Sequence, residues 1–210
     1  MAVKNLFWLL GFVFLLSSCA HPPKYTPLTT PWPERQQQLL ALTEWQFRGH
    51  VIFKMPEQHG DVASVSEHKF SANVSWQQNA DAYKVMLFGP LGFSAVNLDG
   101  RPGAVHLKDS HGKVYEADNP ESLMQTQLGW SLPISSLYYW VRGLPSPEPI
   151  TSVTYDAYHR IAHLQQQGWR IDYMAYQRVQ QLELPQEITF MQDKYYMHLT
   201  IEGDSWQVNR

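Results

Sequence analysis

Apolar and polar residues alternate strictly along several separate runs of this chain, and that period of two constrains the fold more than any other feature. From residue 45, Trp45, Phe47, Gly49, Val51, Phe53 and Met55 fall on one face, with Gln46, Arg48, His50 and Lys54 on the other. Phe70, Ala72, Val74 and Trp76 repeat the pattern against Lys69, Ser71, Asn73, Ser75 and Gln77. Successive side chains of a strand point to opposite faces, so such runs are strands with one face buried. Tyr83 to Phe88 reads as a third strand. Further strands are expected at Phe93–Leu98, Ala104–Lys108 and Lys113–Glu116, separated by Asp99-Gly100 and His111-Gly112 turns. Near the C-terminus they are expected at His159–Leu164, Trp169–Tyr176, Glu187–Met191 and Tyr195–Glu202, with a short end piece at Trp206–Val208.

Helical spacing interrupts the pattern in three places. Pro33 and Glu34 open a helix expected to reach Trp45, since proline suits a first helical turn. Asn119-Pro120 precedes a second, Glu121–Leu128. A third follows Pro133 and carries Ile134, Leu137, Tyr138, Trp140 and Val141 before Gly143 and Pro145. Many antiparallel strands with two helices inserted imply a mainly β fold with some α: an incomplete antiparallel β-barrel lidded by helices around an apolar space. The chain has 8 Trp, 11 Tyr and 9 Phe. Aromatics favour strands and also line apolar pockets, so composition leaves core and cavity equally open. With a net charge of −3 and no run of lysine or arginine, neither nucleic acid nor a polybasic membrane patch is an expected partner.

The N-terminus carries a different signal. Lys4 precedes an apolar run from Leu6 to Leu16, then Ser17-Ser18-Cys19-Ala20. The run is shorter than the roughly 20 residues that span a bilayer, and a positive start, apolar centre and small residues describe a secretory signal. Small residues directly before a cysteine resemble a bacterial lipobox, which makes residues 1–18 a signal peptide. Cys19, the chain's one cysteine, then becomes a lipidated first residue, with a diacylglycerol on its thiol and an acyl group on its new amino terminus, and can form no intramolecular disulfide. Two acyl chains suffice for stable anchoring. By resemblance to bacterial sorting signals, Ala20 in place of aspartate points to the outer membrane. Residues 19–33, with Pro22, Pro23, Pro27, Pro31 and Pro33, read as an extended tether, and residues 34–210 as one domain.

Signs of catalysis are missing from the sequence. It contains no nucleophile elbow, phosphate loop or zinc spacing. His159 and His163 are two pleats apart on an expected strand, Glu183 and Glu187 flank Pro185, and Asp172 reads as solvated. Arg48 and Arg142 are expected in ordinary structural pairs, and Ser135 and Ser136 as first-turn residues of a helix. The turn Gly89-Pro90-Leu91-Gly92 is unusual because Leu91 stands at its tip between Phe88 and Phe93. Such a residue is more often tucked onto the core than left out to touch something apolar. The polar segment 58–66 reads as a loop.

Leu128-Gly129-Trp130-Ser131-Leu132-Pro133 and Leu137-Tyr138-Tyr139-Trp140-Val141-Arg142-Gly143-Leu144-Pro145, with the Pro-Leu-Gly turn and the lipobox in order, resemble the LolB family of outer-membrane lipoproteins. Gly89 stands where some relatives carry asparagine. The resemblance implies an outer-membrane receptor on the periplasmic face. It implies an expected monomer without enzyme activity, cofactor or metal, which takes lipoproteins from a soluble carrier of the LolA type. It also implies that Leu91, with Pro90 and Gly92, projects outward and acts in membrane insertion. The inward face then supplies an acyl-chain cavity, for which Trp45, Phe47, Phe70, Trp76, Leu87 and Trp140 are the candidates. The alternative is a structural outer-membrane lipoprotein that uses the same apolar tip to bind a protein partner. A periplasmic enzyme would need a titratable pair facing the cavity, which the sequence does not assemble.

Overall fold

Each period-two run forms a strand, and all the strands join one sheet. The computed structural model describes residues 25–56, 67–89, 96–128, 132–192 and 197–209. Helix α1 (Trp32–Leu40) leads into β1 (Glu44–Pro56), β2 (Glu67–Asn79), β3 (Ala82–Phe88), β4 (Val96–Arg101), β5 (Ala104–Lys108) and β6 (Val114–Ala117). Helices α2 (Pro120–Leu128) and α3 (Ile134–Trp140) follow, then β7 (Ile150–Tyr155), β8 (Ile161–Gln166), β9 (Trp169–Val179), β10 (Leu182–Gln192) and β11 (Met197–Asn209). Among the described residues no helix is long and apolar enough to cross a membrane.

The strand order is β6-β5-β4-β3-β2-β1-β11-β10-β9-β8-β7, antiparallel throughout. The first and last strands pair at the centre, and β6 and β7 form the two open edges. The chain passes from one edge to the other through α2 and α3, which places the two helices as the link between the halves of an unclosed barrel. A β-bulge bends the sheet at its centre. Arg48 pairs with Ser205 and Gly49 with Gly203, so Asp204 is the extra residue. A Cβ on Gly49 would collide with the Glu202 carbonyl, and one on Gly203 would lie 2.8 Å from the Phe47 ring. Only glycine lets the two strands meet there.

Several boundaries differ from expectation for local reasons. Helix α1 ends at Leu40 and does not reach Trp45, because the chain turns at Ala41 to start β1. The strand expected from His159 begins at Ile161, since His159 takes a left-handed turn conformation with φ of 60°. Strand β10 starts five residues earlier than expected and carries Pro185 inside it, tolerated at a register shift between Pro185 and Glu187. Trp206–Val208 is the continuation of β11 past the bulge. Strand β7 was not expected at all. It is an edge strand, mostly exposed on both faces, and so lacks alternation. The expected segment 58–66 lies outside the described residues.

Candidate functional site

The inward face is built from rows of paired residues. By register, Tyr115, Leu107, Leu98, Val85, Trp76, Phe47 and Trp206 form one row from β6 to β11. Phe53, Leu199, Phe190, Ile171, Leu164 and Val153 form another from β1 to β7. Aromatic rings thicken the first row: Trp45 lies 5.4 Å from Trp76 and 5.3 Å from Trp206, and Phe47 lies 4.9 Å from Trp206, all tilted. Such geometries add to the burial energy of each ring.

Helix α3 is seated on this face by the residues that carry the family resemblance. Trp140 is fully buried and donates its indole N–H to Gln166 Oε1 at 2.8 Å. Its carbonyl accepts from the Tyr173 hydroxyl at 2.9 Å. Arg142 is 1% exposed yet meets no carboxylate among the described residues. Its Nη1 donates to the carbonyls of Leu39 and Leu42 at 3.1 and 2.8 Å, its Nε to the Tyr138 carbonyl at 3.0 Å, and its guanidinium lies 4.0 Å from the Tyr138 ring centre. Carbonyls at a helix C-terminus lack full intrahelical pairing, and Arg142 adds a donor to the Leu39 carbonyl, which also takes the Leu42 N–H, and supplies one to the Leu42 carbonyl just past α1. Burial lowers its pKa from the usual value, offset in part by Tyr138 and Tyr139. Gly143 holds φ of 77°, a conformation that suits glycine, and ends the turn.

Beside the helices this face forms a half-open pocket of about 740 Å³, bordered by the β2–β3 and β4–β5 turns. Trp76, Tyr83, Val105, Ile134, Tyr138 and Tyr139 supply apolar lining, and Gln78, Arg101, Glu121 and Gln167 polar lining. The Tyr83 hydroxyl is buried without a hydrogen-bond partner among the described residues. Burial, then the charges of Glu121 and Asp99, raise its pKa well above the usual range, so it stays protonated. No group of three or more potential metal ligands occurs among the described residues.

The expected cavity residues separate into distinct places. Trp76 lines this pocket. Trp45 and Phe47, each 3% exposed, sit in the packed aromatic layer beside it. Leu87 is half-buried, opposite Val74 and Val96. Phe70 shares the inward face but is 55% exposed, its ring 6.1 Å from Phe53. Trp140 corrects the expectation. It belongs to solid core, with Trp169 and Phe190 rings at 6.3 and 6.2 Å, because its indole N–H needs the buried Gln166. Cys19, Pro90, Leu91 and Gly92 lie outside the described residues. Tyr83, Tyr138 and Tyr139 were not among the candidates. Tyr138 and Tyr139 are adjacent in a short helix, where periodicity does not distinguish wall from core. Asp172, read as solvated, is only 18% exposed and meets His163 Nδ1 at 2.7 Å.

Residues 43–206 match the family described as outer membrane lipoprotein LolB. An outer-membrane lipoprotein LolB of Pseudomonas savastanoi pv. phaseolicola is 43% identical over 157 residues, covering 75% of this chain and 72% of that protein. The LolB of Chromohalobacter salexigens is 36% identical over 205 residues (96% and 90%), and that of Pseudomonas paraeruginosa is 36% identical over 209 (97% and 96%). A LolA superfamily protein from Nitrosomonas europaea superposes with a TM-score of 0.49 at 6% identity, covering 86% of this chain and 94% of that one. The match over most of its length and the relatives that span nearly all of it establish that this chain belongs to the LolB family of outer-membrane lipoproteins.

Proposed function

We propose that the protein is an outer-membrane receptor that accepts lipoproteins from a LolA-type periplasmic carrier by binding their acyl chains, then passes them to the membrane without covalent chemistry. The observation that carries this reading is the half-open pocket of about 740 Å³ that an unclosed sheet forms beside its helical link, lined by Trp76, Tyr138 and Tyr139. An acyl chain of about 16 carbons costs on the order of 12 kcal/mol to expose to water, at about 0.8 kcal/mol per methylene. A lipoprotein therefore crosses an aqueous space only inside a sheltered site, and handover runs toward the better apolar environment. In this reading Cys19 is the lipidated anchor on the periplasmic face, the protein acts as a monomer, and Leu91, with Pro90 and Gly92, enters the bilayer at release.

The test mixes the chain carrying Cys19→Ala with a purified carrier–lipoprotein complex. Co-purification of the lipoprotein with this chain is the expected result. Retention on the carrier, with both proteins folded, contradicts the reading and favours a structural lipoprotein.

A further inference from the structure

The stretch expected to be a free tether makes specific contacts with the folded body. The Tyr25 hydroxyl accepts from Arg160 Nη1 at 3.0 Å, and the Leu28 carbonyl accepts from Arg35 Nη2 at 3.2 Å. The Trp32 ring packs 5.3 Å from that of Tyr155. Both arginines converge on one carboxylate: Arg35 Nη2 is 2.9 Å from Glu183 Oε2, and Arg160 Nη1 is 3.1 Å from Glu183 Oε1. Arg160 also pairs with Asp156 at 2.7 Å. The Glu183 side chain is fully buried, and those of Arg35 and Arg160 are 5% and 11% exposed. Two guanidiniums balance two carboxylates. Buried pairs of this kind add little net stability but fix geometry, since removing one member strands the other. Burial, then the nearby Glu183 charge, push the Tyr25 pKa up to about 12, so the hydroxyl keeps its proton.

We infer that this cluster straps residues 25–31 to the body and thereby sets the length of the leash. The inference rests on Cys19 being the lipid anchor. Six residue steps separate Cys19 from Tyr25, about 20 Å of chain at most, whereas thirteen steps to Trp32 give about 45 Å. The strap sits at the end of the sheet that carries the β7–β8 and β2–β3 turns. By register, the connection from Gly89 to Val96 leaves the other end of β3. The 7 residues of β3, Ala82–Phe88, put roughly 20 Å between the β2–β3 turn and the start of that connection, which lies level with His50 halfway along β1. A strapped leash holds the strap end within about 20 Å of the lipid anchor, and a released one lets it move about twice as far. Strapped, the domain keeps the end with the β7–β8 turn next to the bilayer; released, that end can move away from it.

The experiment uses the lipidated chain, in which acylated Cys19 leaves no free thiol, in phosphatidylethanolamine–phosphatidylglycerol vesicles. A nitroxide on Thr26→Cys should give the broad spectrum of an immobilised label, and the sharp spectrum of a mobile one once residues 25–31 are replaced by glycine and serine. A donor dye on Gln181→Cys, at the strap end, should transfer energy to a headgroup acceptor at least twofold more efficiently with the native segment than with the replacement. A mobile spectrum at residue 26 in the native segment, or equal transfer in both chains, overturns the strap. A chain that stays off the vesicles refutes the anchor instead, and the spectrum in solution still judges the strap.

Discussion

Gln166 and Trp140 are joined by a hydrogen bond that no water can replace: the Gln166 side-chain oxygen accepts the Trp140 indole N–H at 2.8 Å, and both residues are fully buried. The same oxygen accepts from the Ser146 backbone N–H at 3.0 Å, and the side-chain amide donates to the Ser146 carbonyl at 3.0 Å. Gln166→Leu keeps the approximate volume but orphans these three groups and removes the amide's donation to the Glu148 carbonyl. Each buried orphan costs about 1–3 kcal/mol, so the variant should lose roughly 3 kcal/mol in urea unfolding. A loss below about 1 kcal/mol would show that the network is not holding α3.

Arg142 makes a second prediction, about shape as much as charge. A lysine at this position carries the charge but not the fork that reaches Leu39, Leu42 and Tyr138 together. Arg142→Lys should therefore cost roughly 2 kcal/mol, and Arg142→Met about 3 kcal/mol, since the Leu42 and Tyr138 carbonyls lose their side-chain donor and Leu39 keeps only the Leu42 N–H. Hydrogen exchange should quicken at Ala41 and Leu42, whose backbone N–H groups bond Gln37 and Leu39. Native-like exchange in Arg142→Lys would contradict the capping role.

The central bulge predicts a steric effect. Gly49→Ala drives a methyl group into the Glu202 backbone, which is not free to rotate away. Overpacking of this kind costs about 1–3 kcal/mol, and thermal unfolding should show the upper end of that range. The neighbouring His50→Ala, on the exposed face, should leave the midpoint unchanged. Equal behaviour of the two variants would mean that the sheet can flatten.

Leu91 tests the proposed release step. Leu91→Glu should unfold at the native midpoint and still receive acyl chains, but should fail to deliver them to liposomes, because a carboxylate resists apolar contact. Leu91→Phe should retain delivery. Undiminished delivery by Leu91→Glu would remove the tip from the mechanism.

The strands were legible wherever one face is buried, because burial writes alternation into the sequence: β1 and β2 could be read residue by residue. Strand β7 could not, since an exposed edge imposes no such pattern on Ile150–Tyr155. Nor could the partners of Trp140, Arg142 and Glu183. Arg142 meets Leu42 across 100 positions and Trp140 meets Gln166 across 26, so no local spacing records either contact. The motif around Trp140 to Pro145 identifies the family through residues that seat α3 and cap α1. The wall of the cavity falls to neighbouring tyrosines and to Trp76. Periodicity places Trp45, Trp76 and Phe70 on one face, but only the third dimension separates packed layer, cavity wall and exposed rim.

The central claim is that acyl chains lie in the pocket beside the helices. It is tested most directly by placing a photo-reactive benzoylphenylalanine at Tyr139, on the cavity wall, and at His106, on the outer face of β5. After transfer of a lipoprotein bearing radiolabelled acyl chains, irradiation should cross-link the label at residue 139 and not at 106. Intact transfer without cross-linking at 139, or equal cross-linking at both positions, would place the acyl chains elsewhere.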